Sequence, residues 1–204
     1  MILVLLFTSN RVNKEIILRK SNGTFRRSLL EGKKMQYWYA IYTNRDAEFK
    51  LHDNIQNYSN SNSLNYEIYL PIVKEKRQWS DRKVKVNRPM FKNYLFVKHG
   101  AEGFHQLKSL PGFKDYVRLG RYPSQITQEE IDMVKVVEKN FDKVECVSSR
   151  LMRGDKVKVF NGALKGHQGI LIKEPHGYKV ALELTSLSQC INVEVPIEHI
   201  TLLS

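Results

Sequence analysis

The chain has 204 residues and carries 33 Lys and Arg against 21 Asp and Glu, a net charge of +12. This length allows one large domain or two small ones with real cores. The basic balance suggests nucleic acid or another polyanion as a partner and implies no particular chemistry.

Half of the charge excess lies in residues 1–34, with 8 basic and 2 acidic residues. Met1 to Phe7 is apolar, but it is too short to span a bilayer and lacks the basic start of a signal peptide. Residues 1–34 therefore read as a weakly ordered basic extension and a start-site artefact, with the domain beginning at Met35. Tyr37 to Tyr42 is an aromatic run without a breaker and predicts a strand. Thr43 or Asn44 would cap the following helix, with Ala47, Leu51, Ile55 and Tyr58 on its apolar stripe. Phe49 falls off that stripe, and the pattern does not explain it. Ile68 to Val73 predicts a strand that Pro71 confines to an edge or an end.

Residues 74–92 hold eight basic side chains against Glu75 and Asp81, arranged as a hairpin with its tip at Trp79 to Asp81. A contact with nucleic-acid backbone and a solvated hairpin without a partner stand as equal alternatives. Next comes the strand from Tyr94 to Val97, entered through Pro89. Tyr94 and Phe96 share one face, and Leu95 and Val97 share the other. Pattern alone favours a strand packed on both sides. Helices on one side only would instead leave Tyr94, Phe96 and Phe91 as an aromatic surface patch.

Phe104, Leu107 and Leu110 predict a short helix ended by Pro111-Gly112, and Phe113 to Leu119 a strand. Thr127 and Glu130 form a capping box for a helix whose apolar face is Ile131, Val134, Val137 and Phe141. The order β-α-β-β-β-α-β-α, with helices on one side of an antiparallel sheet, is an α+β plan over residues 35–140. Residues 141–150 read as a linker. From 151 to 204 short apolar strands alternate with turn signals, which predicts a small all-β barrel. Cys146 and Cys190 have no Cys or His at ligand spacing, so no metal site or disulfide is expected, as for a protein of the reducing cytoplasm. Neither a phosphate-cradling glycine loop nor a nucleophile with a base at recognisable spacing is present, and the six histidines are scattered. An enzyme is not expected, nor a cofactor.

Gly154-Asp155-Lys156-Val157-Lys158-Val159, followed by the segment Asn161 to Gly169 with Gly162, Gly166 and Gly169, resembles the KOW motif that closes NusG-type transcription factors. Trp38-Tyr39, the stretch Arg88 to Val97, Leu110-Pro111-Gly112-Phe113 and Val117-Arg118-Leu119-Gly120 resemble the NusG amino-terminal (NGN) domain in the family's order. Met35 to Tyr39 and Asn93 to Val97 are similar to specialised antitermination paralogues of the UpxY and RfaH type. The chain departs from the family at Lys92, where Pro is common.

The resemblance implies an NGN domain followed by an SH3-like KOW barrel, acting as a monomeric, non-membrane transcription elongation and antitermination factor on surface-polysaccharide operons. It implies that Tyr42, Phe91, Tyr94 and Phe96 form an apolar pocket for the clamp helices of the RNA polymerase β′ subunit. It places a second contact, to the β subunit, at Phe104, His105 and Gln106, and a contact to non-template DNA at Asn44 and Arg45. A ribosomal protein, Rho and RNA all stand open as partners of the KOW domain. The alternative reading is an RNA-binding or ribosome-associated KOW protein.

Overall fold

The computed structural model describes residues 35–78, 83–149, 154–175 and 177–203. The chain divides after Met35 into two units, and the strands and helices of the described residues belong to the second, Gln36–Ser204. The expectation for residues 1–34 lies outside the described residues. Among the described residues no helix is long and apolar enough to cross a membrane.

The aromatic run forms β1 (Tyr37–Thr43), after which come α1 (Glu48–Ser61) and β2 (Glu67–Tyr69). Pro71 separates β2 from β3 (Ile72–Gln78), as a residue that cannot donate to a ladder should. β3 pairs with β4 (Lys83–Pro89) as a separate two-stranded ribbon. The central strand is β5 (Tyr94–His99), followed by the short helix α2 (Gly103–Gln106) and β6 (Phe113–Tyr116). A small hairpin, β7 (Arg118–Leu119) with β8 (Tyr122–Pro123), leads through β9 (Gln125–Ile126) to α3 (Gln128–Asn140). The first sheet has the order β2-β5-β1-β6, with β9 also paired to β1. β1 and β5 run antiparallel from Tyr37 opposite His99 to Tyr42 opposite Tyr94.

Alternation along this pair decides which residues face which helix. Tyr39, Ile41, Leu95 and Val97 meet Leu51 and Ile55 of α1 in one buried cluster. Trp38, Ala40 and Phe96 share a second cluster with Ile131, Val134 and Val137 of α3. Helices therefore cover both faces, as the pattern of the central strand alone favours, where the α+β plan expected helices on one side. The reason is the apolar stripe of α3, which needs a sheet face of its own once α1 occupies the first.

The start of α1 also differs from expectation. Thr43 stays in the β-ladder, its N–H bonded to Asn93 O at 2.9 Å, and Ala47 takes the cap position without a side-chain bond. Glu48 instead turns inward and accepts the Asn93 N–H at 2.6 Å, which ties the helix start to the turn before β5. α3 begins as the sequence predicts, with both halves of the Thr127–Glu130 capping box formed.

The segment expected as a linker carries a strand, β10 (Val144–Ser148). After it come β11 (Lys156–Val159), β12 (Gln168–Glu174), β13 (Gly177–Leu184), β14 (Gln189–Glu194) and β15 (Ile200–Leu202). They form a six-stranded antiparallel sheet of order β10-β14-β13-β12-β11-β15, the predicted small all-β domain with β10 added at its edge. Gly166, at φ +94°, makes the turn into β12, with its N–H on Val159 O at 2.7 Å. At Gly169 a Cβ would sit 2.6 Å from Ala181 O, so this strand pair closes only over glycine. Gly154 and Gly162 also stand in turns, and Asp155 accepts the Leu171 N–H through its backbone carbonyl at 2.8 Å.

Candidate interaction surface

The stretch Arg88 to Tyr94 sets up the site. Pro89 ends β4, Met90 and Phe91 turn inward, and Asn93 adopts the left-handed region at φ 63° so that the chain can enter β5. Because Tyr42 is the register partner of Tyr94, their rings meet at 4.7 Å and their hydroxyls at 3.1 Å. Tyr42 is 37% exposed and Tyr94 is half-buried, whereas Phe91 and Phe96 are only 2% and 1% exposed. Phe91 and Phe96 pack edge to face at 5.6 Å. The four residues that the resemblance implies as one apolar pocket are thus a tyrosine pair at the surface with a phenylalanine pair behind it. The second face of β5 lies against α3, which is what removes the phenylalanines from solvent.

A cleft of about 610 Å³ opens beside the tyrosines. One wall is Met90 to Tyr94, and the other is Glu145 to Val147 with Gln189, contributed by β10 and β14. Asn93 lines the cleft and holds a buried Oδ1 that has no hydrogen-bond partner among the described residues. Burial, followed by the bond to Tyr42, pushes the Tyr94 hydroxyl far above its ordinary pKa, so it remains a neutral donor and acceptor. Burial likewise pushes the Cys146 thiol up to about 12 against a small opposing effect of Arg88, so it is not a thiolate at neutral pH. Half of the side chains lining the cleft are polar or charged, namely Arg88, Lys92, Asn93, Glu145 and Gln189, and its one thiol is not activated.

The remaining predicted residues divide. His105 is exposed, but Phe104 packs on Tyr39 at 4.8 Å and Gln106 receives the Tyr66 hydroxyl, so these two are tied into the core under α1. Asn44 and Arg45 are exposed on the β1–α1 turn, with the Arg45 side chain 3.4 Å from Asp46. Phe49, the second residue of α1, is 43% exposed at the same end of the helix.

Two features escaped the sequence reading. The first is a polar seam between the two halves. Ser186 donates its N–H to Glu130 Oε1 at 3.1 Å, and its Oγ lies 2.6 Å from Glu130 Oε2 and 3.0 Å from Gln125 O. Arg88 also reaches Val144 O at 3.4 Å, and one apolar cluster runs from Trp38 and Phe96 through α3 to the core of the second sheet. The capping box accounts for Glu130 so fully that its second role leaves no local signal. The second feature is His99, which is fully buried. Its Nδ1 bonds Gly100 O at 2.7 Å, its Nε2 receives the Tyr116 hydroxyl at 3.1 Å, and the Tyr39 and Phe104 rings flank it. Gly103 is required here, since a Cβ would sit 2.3 Å from the imidazole.

Residues 36–135 match the sequence profile of the family described as transcription termination factor NusG, and form a NusG-family domain. A solved structure on domain interaction in Thermotoga maritima NusG superposes with a TM-score of 0.53 at 19% identity, covering 83% of this chain and 98% of that one. That likeness extends across both halves and shows the shared fold. An MjSpt4:Spt5 complex in conformation B matches at 19% identity with a TM-score of 0.31, covering 82% and 97% of the two chains.

Proposed function

We propose that this chain, through its NusG-family domain, binds RNA polymerase and acts as a transcription elongation factor with antitermination activity on specific operons. The observation that carries this reading is the surface pair Tyr42 and Tyr94, of which Tyr94 lines a cleft together with Phe91, itself packed on Phe96. Aromatic anchors backed by a packed core are the residues that dominate protein interfaces. The partner we assign to the cleft is the clamp-helix pair of the β′ subunit. Exposed His105 is the residue of the expected second contact left available to the β subunit, and Arg45 with Asn44 is positioned for a backbone contact to the non-template strand.

Because β10 and β14 form the second wall of the cleft, polymerase helices would meet Tyr42 and Tyr94 first. The reaction is one of binding alone: bridging two jaws of the polymerase favours its closed form, and no bond is made or broken.

Core polymerase binding of the whole chain, compared with Tyr94→Ala, tests this reading. Tyr94→Ala should remain folded and weaken binding by about 2 kcal/mol or more, the size typical of an interface anchor. Equal binding by the two proteins, or capture of ribosomes in place of polymerase, would set the reading aside in favour of an RNA-binding or ribosome-associated role.

A further inference from the structure

The second sheet ends on a short strand. Among the described strands, β15 pairs with β11 alone, from Val157 opposite Leu202 to Val159 opposite Ile200. Leu203 donates its N–H to Lys156 O at 2.8 Å, and Phe160 donates its own to His199 O at 2.9 Å. In an antiparallel ladder the backbone groups of successive residues point to opposite sides, so positions 199, 201 and 203 face β11 while 200 and 202 face away from it. The Ile200 N–H is used in the turn before the strand, on Ile197 O. The Leu202 N–H and carbonyl and the Ile200 carbonyl are left pointing out from the edge.

The side chains around this edge are of two kinds. Val157 and Val159 are fully buried, so Lys156 and Lys158 stand on the opposite, exposed face of β11, with Thr201 opposite Lys158. These two lysines are the charged residues of the two strands, which carry no acid. Leu202, opposite Val157, belongs to the other face and is 64% exposed, and Phe160 and Ile197, at the far end of the strand pair, are also open to solvent. An open edge of this kind is a template for a further strand. A strand laid against β15 in register would set every second side chain against Ile200 and Leu202, and the intervening ones beside Thr201 on the lysine side. We propose that this edge binds an extended peptide of a partner protein by strand addition, and that the peptide alternates apolar residues with Asp or Glu. Backbone bonds supply the affinity, and the alternation supplies the choice of partner. The edge shares no residue with the tyrosine cleft, so its success or failure is independent of polymerase binding.

The experiment is fluorescence anisotropy of the whole chain with a labelled peptide of alternating Glu and Val, about six residues long, the common length of a strand. A peptide of alternating Lys and Val and a mixed-sequence single-stranded RNA are the other arms. The Glu and Val peptide should bind, and the Lys and Val peptide should not. Leu202→Pro removes the outward N–H and leaves the bonds to β11 in place, so it should weaken binding by about two- to tenfold, the span of one hydrogen bond. Lys158→Glu, at an exposed site where the fold does not depend on the side chain, should exchange the preference between the two peptides. Binding of neither peptide, an affinity unchanged in Leu202→Pro, or a preference unchanged in Lys158→Glu would overturn the proposal. Tighter binding of the RNA than of the Glu and Val peptide, lowered by Lys158→Glu, would overturn it in favour of a nucleic-acid surface. Dimers of the free chain in light scattering that Leu202→Pro abolishes would overturn it in favour of a second copy of this chain at the edge.

Discussion

At the scale of single residues, adjacent positions on β5 have different tasks, and stability measurements separate them. Phe96 and Leu95 are buried on opposite faces of one strand, so Phe96→Ala should cost about 3 to 5 kcal/mol of folding stability and Leu95→Ala about 2 to 5. Tyr94→Ala, at a half-buried site open to the cleft, should cost less than either in a urea titration while weakening the polymerase binding proposed above. A Tyr94→Ala protein less stable than Phe96→Ala would place the tyrosine in the core. His99 makes a second prediction. Burial lowers its pKa from 6.5, outweighing the bond to Gly100 and the nearby Glu102. The unfolded chain therefore binds the proton more tightly than the folded one, and stability is complete above about pH 6.5 and falls as the pH drops below it. The slope should approach about 1.4 kcal/mol per pH unit, the limit for one proton. In denaturant titrations at pH 7.5 and 5.5, His99→Gln should show the smaller loss on acidification. A loss equal to that of the unaltered protein would assign the effect to another group.

At the scale of elements, α3 is the part on which both halves depend. Its first turn is capped by Thr127 and Glu130, its stripe covers the second face of the first sheet, and the Glu130 carboxylate also holds Ser186 from the second domain. Thr127→Ala should cost about 1 kcal/mol, the ordinary value of a lost cap. Glu130→Ala should cost more, because it removes the cap and the seam together. A double-mutant cycle between Glu130→Ala and Ser186→Ala should give a coupling of about 0.5 to 3 kcal/mol, as expected for side chains in one network. Additivity within about 0.5 kcal/mol would mean that the seam contributes no coupling.

At the scale of the whole molecule, the second sheet walls the cleft in which the polymerase site is proposed, so the seam and the binding surface are linked. Ser186→Glu, which sets a second carboxylate against Glu130, should part the seam, raise amide exchange in β10 and strengthen polymerase binding. Weaker binding would show instead that the second sheet completes the site. The sequence determined the elements whose signals are local. These are the alternation of β1 and β5, the capping box of α3, the break at Pro71 and the glycine turns of the second domain, all of which depend on residues within one or two turns of each other. It also determined which residues of β5 share a face. Only the tertiary structure decided what each face meets. Burying Phe91 and Phe96 depends on α3 crossing the sheet some 40 residues later in the chain, as the Phe96 and Val137 numbering shows. The strand at Val144–Ser148 needs β14 as its partner, and Glu130 needs Ser186. Such pairings are set by packing between distant segments, and no local propensity encodes them.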